Sequence, residues 1–365
     1  EDLRTQEGFT PLAVRGAALR IDVGGVLEPV ELRLGPDGLE CDPAWEPGRH
    51  GLALRVDGSE VIALPGDPLD EDLEALEDVL ARACLRAGLG AQAWRSALGL
   101  AYRFEAESFL SPAPGASPLP LQHSEPTPFP EPSARAVGEA LEAGATWLGA
   151  QILPSGGLAA GYSPARDAFD PGGEGPVAEA DADAVSTAVR AFEALAGRLG
   201  RAAFAAARDH LTAWLRKRGG ASGEGSRPRT GRADGSAGPA GRTGPSGDLS
   251  RRGASLGPDE LRRLLGSAPP SSFRARVRRL TDLARGASWA RERGDALAQP
   301  LREAVLSELR WLLPLQLAAR HRHLCRHPER ALGGFRRERA RPHLRAADTA
   351  EALLALLACA DLLER

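Results

Sequence analysis

The chain has 365 residues and a formal net charge of −3, with 42% hydrophobic and 26% charged residues, 42 Gly, 29 Pro and 4 Cys. This composition excludes collagen, a disulfide scaffold and a wholly disordered chain, and no apolar run reaches the roughly 18 residues of a membrane-spanning helix. The length is enough to bury a substantial core, and the expected class is a soluble protein of two parts.

Met and Asn are absent, Lys217 is the single lysine, and Ile21, Ile62 and Ile152 are the three isoleucines. This is the bias of a GC-rich, bacterial type of genome, so the excess of Arg over Lys is weak evidence for phosphate recognition. Cys41, Cys84, Cys325 and Cys359 lie far apart without CxxC spacing, as expected of reduced thiols in a cytoplasmic protein. No leader pattern opens the sequence. A chain opening at Glu1 without Met is expected to be incomplete at its N-terminus.

Residues 1–110 mix two periods. Leu19 to Leu32 (LRIDVGGVLEPVEL) and Gly51 to Leu64 (GLALRVDGSEVIAL) alternate apolar and polar residues, and Asp57-Gly58 predicts a tight hairpin. From Leu73 the apolar spacing becomes helical through Cys84, and Gly88 is placed to end that helix. Leu100 to Phe109 predicts a last strand, giving an α+β unit. Residues 111–132 hold eight prolines, which forbids helix and predicts an extended linker. Beyond Pro132 the pattern is helical throughout, over 133–218 and again over 258–365. Between them, residues 219–257 contain 12 Gly, with Leu249 and Leu256 as the large apolar side chains, too few to offset the entropy of ordering, so disorder is predicted.

A loose repeat links the two helical stretches. Trp147-Leu148, Gly156-Gly157-Leu158 and Asp183 are matched by Trp311-Leu312, Gly333-Gly334-Phe335 and Asp348. The unit of helix, glycine-rich turn and acid-started helix predicts stacked αα-hairpins.

Two resemblances follow. Leu19 to Leu32, the block EPGRHGLALRVDGSEVIALPG (Glu46 to Gly66) and the ending ALEDVLARACLRAGLGAQAWRSALGLAYRFEAESF match, in order and spacing, the C-terminal half of the AMMECR domain; residues 19–110 therefore resemble that family. Its Arg-Gly-Cys element belongs upstream and is missing from residues 1–18, so the resemblance implies a truncated or relic domain. Its members are often associated with radical SAM and dioxygenase-like partner proteins. The second resemblance is to α/α toroids, the helical-hairpin barrels of terpenoid cyclases, glucuronyl epimerases and carbohydrate-active enzymes. ATWLGAQILPSGGLAAGYSPARDAFDP (Ala145 to Pro171) and GGFRRERARPHLRAADTAEALLALL (Gly333 to Leu357) carry it. It implies an all-α region of antiparallel αα-hairpins in an incomplete toroid-like arrangement. The Asp-rich signature of squalene-type cyclases is absent, since Asp181 and Asp183 form no such cluster, and terpene cyclisation is disfavoured.

In toroids the ligand lies where inner-helix N-termini meet, so Asp183 and Asp348 are the candidate acid/base pair, with Glu351 one helical step from Asp348. The plainer reading is that an Asp at a helix start caps orphan N–H groups and complements the helix dipole. Tyr162, His343 and Arg345 are candidate ligand-binding groups, Arg345 offering a bidentate fork to a carboxylate. In HRHLCRH (His321 to His327) the two i,i+4 pairs would point to different helix faces, so no metal is assigned. Asp209-His210 lacks a placed nucleophile. Gly172 to Gly175 (GGEG) follows no strand and lacks a phosphate-cradling Lys and Ser/Thr, and no cofactor is expected.

Charge is unevenly spread. Residues 1–110 carry 10 Arg against 21 Asp plus Glu, and residues 258–345 carry 20 Arg against 9 acids, or −11 and +11. The halves are expected to dock on each other or on a protein partner; nucleic acid is disfavoured because the arginines lack interleaved aromatics. The expected function is an AMMECR domain-containing protein whose toroid-like region acts on or binds a sugar or uronate-like ligand. A non-enzymatic scaffold is the alternative.

Overall fold

The computed structural model describes residues 19–36, 38–71, 73, 75–97, 101–111, 117–122, 125–127, 129, 131–170, 176–221, 257–339 and 341–364. Strands β1 (Leu19–Gly24), β2 (Glu28–Gly35), β3 (Gly38–Asp42), β4 (His50–Val56) and β5 (Ser59–Ala63) are followed by helices α1 (Asp67–Asp70) and α2 (Leu76–Arg86). Strands β6 (Ala101–Ser111), β7 (Leu119–Gln122) and β8 (Glu125–Pro126) complete an eight-stranded sheet.

The long strand β6 organises this sheet, with β2 and β4 flanking its first half and β1 and β7 its second. Gly24 pairs with Ala106 and Glu28 with Arg103, while Gly25 N–H donates to Glu105 O at 2.7 Å. The single alternating run expected over 19–32 is thus two strands in succession along one flank of β6, separated by a three-residue irregularity at the paired glycines. The Asp57-Gly58 turn has φ of 48° and 83°, the both-positive pair that matches strand twist in a two-residue hairpin. Helix α2 lays Leu76, Val79, Leu80, Ala83 and Cys84 on Leu52, Leu54 and Val61, and Gly88 at φ 75° closes it as expected.

The Pro-rich stretch, expected as an extended linker, also contributes to the sheet. Within it β7 pairs with β6 and β8 with β7. Pro126 lies on β8, at the edge of the sheet, where its missing N–H is not required by a further neighbour, and Pro120 on β7 still accepts from Thr127 N–H through its carbonyl at 3.0 Å.

The second part contains α3 (Ala134–Ala150), α4 (Ala182–Leu199), α5 (Ala202–Ala221), α6 (Pro258–Gly266), α7 (Phe273–Glu292), α8 (Ala298–Leu312), α9 (Pro328–Ala331) and α10 (Ala346–Leu363). Helix α5 runs into the start of the spacer expected at 219–257; residues 222–256, on which the prediction of disorder falls, lie outside the described residues, as do 1–18. Helix α10 (AADTAEALLALLACADLL) is apolar almost all round, as a helix in the middle of a core must be. It packs on α3, α4 and α7. Leu69 of α1 is buried in this same helical core, so the two parts touch.

The expectation of helix throughout needs correction. Strands β9 (Gly161–Ser163), β10 (Ala168–Phe169), β11 (Arg336–Glu338) and β12 (Arg341–Arg345) form a second sheet in the order β10-β9-β12-β11. Each half of the sequence repeat contributes a hairpin, between α3 and α4 and between α8 and α10. The hairpins join through Tyr162 opposite Leu344 and Gly161 opposite Arg345. These strands are only two to five residues long, too short for a period of two to show. No helix among the described residues is long and apolar enough to cross a membrane.

Candidate functional site

The N-terminal end of α10 gathers charge. Asp348, in its first turn, is fully buried. Arg337 of β11 donates to it through Nε at 2.5 Å and Nη2 at 3.2 Å, and Arg274 of α7 through Nε at 3.2 Å. The Asp348 hydrogen bond holds the Arg337 guanidinium pKa above its ordinary value. One turn on, Glu351 lies 3.8 Å from both Arg274 and Arg278. Its Oε2 is buried with no hydrogen-bond partner. Burial raises the Glu351 carboxyl pKa, against the opposing pull of Arg274 and Arg278.

The same face of α10 continues into a cavity. Glu351, Leu354, Ala358 and Asp361 recur at three and four residues and so lie in one row, which extends about 15 Å at 1.5 Å per residue. An open cavity of about 650 Å³ between α4, α7 and α10 is lined by Leu354, Ala358, Asp361, Arg198, Arg285 and Trp289. Arg198 of α4 pairs with Asp361 and, at 2.5 Å, with Glu364. Trp289 is covered on one side by Arg293, whose guanidinium carbon is 4.7 Å from the ring centroid. Arg285 is exposed and makes none of the described ion pairs. The cluster and the cavity thus lie along one face of α10, the cluster at its N-terminal end and the cavity, with Arg198 and Arg285 in its lining, toward its C-terminal end.

The residues singled out from sequence fall in three places. Asp348 and Glu351 share the cluster. Asp183 is exposed on α4; the cap there is Asp181, whose carboxylate accepts from Ala184 N–H at 2.7 Å. No described hydrogen bond or ion pair joins Asp183 to Asp348. Tyr162, His343 and Arg345 gather on the second sheet. Tyr162 is fully buried rather than at a cavity mouth, donates to Asp167 Oδ1 at 2.7 Å and packs on Phe169 at 5.2 Å. Burial and that hydrogen bond raise its phenol pKa. His343 Nε2 lies 2.9 Å from Asp170 Oδ1. A Cβ on Gly161 would overlap Asp170 and sit 2.7 Å from His343 Cε1, so glycine is what lets this pair meet across β9. Arg345 is exposed and precedes α10.

Sequence reasoning missed Arg274, Arg278, Arg285, Trp289 and Arg337. The first four were legible in principle: their offsets of 4, 11 and 15 place them on one face of a helix. That signal was lost in an arginine-rich background. HRHLCRH also differs from expectation. Ala319–Leu324 is a 3₁₀ turn, not an α-helix, so i,i+4 pairing does not apply. His321 is buried and its Nδ1 accepts from Ala318 N–H at 2.9 Å.

No family model matches the chain. A protein of Thermofilum pendens (strain DSM 2475 / Hrk 5), described only as "Protein", is 32% identical over 106 residues, which are 29% of this chain and 48% of that protein. The chain thus spans about half the length of that relative.

Proposed function

We propose that the helical part binds an anionic, hydroxylated ligand of the sugar or uronate class in the groove along α10, and that residues 19–110 are a partial AMMECR-like domain attached to it in a cytoplasmic protein. One observation carries the ligand reading: the cavity between α4, α7 and α10 brings Leu354 and Asp361 of α10 together with Arg198, Arg285 and Trp289, and the same α10 face continues to Glu351 beside Arg274 and Arg278. An indole face stacks on a sugar ring, a free guanidinium such as Arg285 takes a carboxylate in a fork, and carboxylates accept from hydroxyls. We read the helices as part of a toroid-like hairpin array in which α10 fills the place of the axial cavity, so the ligand lies along α10 and not at an axis.

Binding is favoured over turnover. Asp183 stands in solvent, and Asp348 is closed off by two arginines, which does not divide acid and base roles between them. If a reaction occurs, Glu351 is the carboxyl placed to carry a proton, because burial favours its neutral form. Titration calorimetry with glucuronate and galacturonate oligomers, against neutral glucans, tests the reading. Uronate oligomers are expected to bind, Trp289→Ala and Arg285→Ala each to weaken them about tenfold or more, and Asp183→Ala to leave binding unchanged. Equal binding by both groove variants and the parent would refute it.

The alternative, a non-enzymatic scaffold, is favoured by a different feature, the solvent-facing apolar row of β1.

A further inference from the structure

Strand β1 lies at an edge of the larger sheet: among the described residues β6 is the one strand it pairs with. Its side chains alternate sharply. Leu19, Ile21 and Val23 point to one face and are half exposed, Ile21 at 48%. Arg20 and Asp22 point to the other, where they bond to each other and Asp22 also accepts from Ser108. Just beyond, Val26 is 84% exposed. β1 carries neither Lys nor Pro, and its two inward charges, Arg20 and Asp22, neutralise each other; among the described residues its outer edge is left unpaired, and the N–H and C=O groups of such an edge template another strand.

The charges select the strand that fits. In an antiparallel pairing of β1 with β1 of a second copy, centred on Ile21, Leu19 faces Val23, Ile21 faces Ile21, and each Arg20 faces an Asp22. A slip of two residues in either direction sets Arg20 against Arg20 or Asp22 against Asp22, and a parallel in-register pairing stacks like on like. Opposite-charge pairs directly across strands stabilise and like pairs destabilise, so one register is favoured, and it obeys the two-fold symmetry of a closed dimer. We propose that β1 is a self-recognition strand through which two copies of this chain join their sheets edge to edge.

Sedimentation equilibrium of the full chain tests this, with three variants. The unmodified chain is expected to dimerise, and Ile21→Asp to raise its dissociation constant about 100-fold or more, because two carboxylates would meet unpaired at the dyad. Ile21→Cys is expected to give a disulfide-linked dimer on mild oxidation, since facing Cα atoms lie about 4.5–5.5 Å apart. Leu19→Cys, about 13 Å from its own copy in this register, is expected to cross-link no more than the parent chain. A dimer indifferent to Ile21→Asp, or equal cross-linking at both cysteine positions, would overturn the proposal. So would a parent chain that stays monomeric at every concentration; if Ile21→Asp then also destabilises that monomer, the apolar row belongs to residues 1–18 instead.

Discussion

Large apolar side chains left in solvent cluster in one part of this molecule, and polar or charged side chains taken out of solvent cluster in the other. Leu19, Ile21, Val23, Val26, Leu27, Leu34, Ile62 and Tyr102 are exposed in the sheet, against Leu199 in the helical part. Conversely, Arg279, Glu308, Gln316, His321, Arg336, Asp348 and Thr349 are buried among the helices. The difference follows from geometry. The sheet has α2 as its main cover, which hides one face over one end, so apolar residues on the rest of the surface have nothing to pack against. The helical part wraps α10 on several sides and is thick enough to enclose polar groups, provided each finds a partner. Gln316, for instance, donates from Nε2 to Ala140 O at 2.8 Å and Gly333 O at 3.0 Å. One part is therefore limited by coverage and the other by complementarity.

Substitutions that disturb fit should hurt the helical part most. Gly333→Ala has the largest expected effect, about 3–5 kcal/mol of stability, combining a disfavoured backbone with overpacking. Gly333 has φ of 103°, and a Cβ there would overlap the carbonyl of Ala143 in α3 and lie 3.0 Å from Trp147 Cβ. Urea denaturation followed by Trp fluorescence measures it; a loss below about 1 kcal/mol would mean that α3 and the Gly-Gly turn are not locked together. Asp348→Ala comes next, at about 2–3 kcal/mol. It leaves Arg337 and Arg274 without their shared carboxylate, and the cost stays moderate because both guanidinium groups can swing toward water. Asp348→Asn, which keeps shape and removes charge, should recover less than half of that loss if the ion pairs dominate. Full recovery would assign Asp348 a hydrogen-bonding role alone.

The same contrast explains what was legible in the sequence. Alternation in β4 and β5, the Asp57-Gly58 turn, the α2 face and the Gly88 stop are local patterns, and each appears in the structure where expected. The second sheet was invisible because its pairings, such as Tyr162 with Leu344, join residues far apart in sequence on strands too short to show a period. The site was half legible. Asp348 and Glu351 are separated by one helical step and were singled out together. Their partners Arg274, Arg278 and Arg337 come from α7 and β11, and only the tertiary fold brings them there. Asp183 looked equivalent to Asp348 by its place in the repeat, yet α4 presents it to solvent. A repeated position fixes the backbone role and not the neighbours.

In the sheet, where packing is looser, substitutions should act through the backbone. Gly58→Ala is expected to cost about 1–2 kcal/mol, the penalty for an L-residue at positive φ. Its φ is 83°, and an added Cβ would meet nothing within 4 Å. Thermal unfolding compares the two glycines directly. If Gly58→Ala proved as damaging as Gly333→Ala, backbone conformation alone would account for both, and the distinction between coverage and complementarity would fail at these positions.

The smallest expected effect is also the one that separates the two parts by pH. Burial pushes the Asp70 carboxyl up to about 6; Arg20 opposes the shift, and Asp67, Asp22 and Glu71 add to it. Because the folded protein holds this proton more tightly than the unfolded chain, Asp70 contributes stability below its ordinary pKa of 3.8 and loses it as pH rises through about 6. Asp70→Asn, neutral at every pH, should therefore be more stable than the parent at pH 7 and no more stable at pH 4. The gain is below about 1 kcal/mol, since the side chain is 42% exposed and water screens it. Urea titrations at the two pH values decide the matter. A gain that persists at pH 4 would mean that relief of crowding, not ionisation, is the cause, and the acidic patch beside β1 would then be limited by fit in the same way as the helical core.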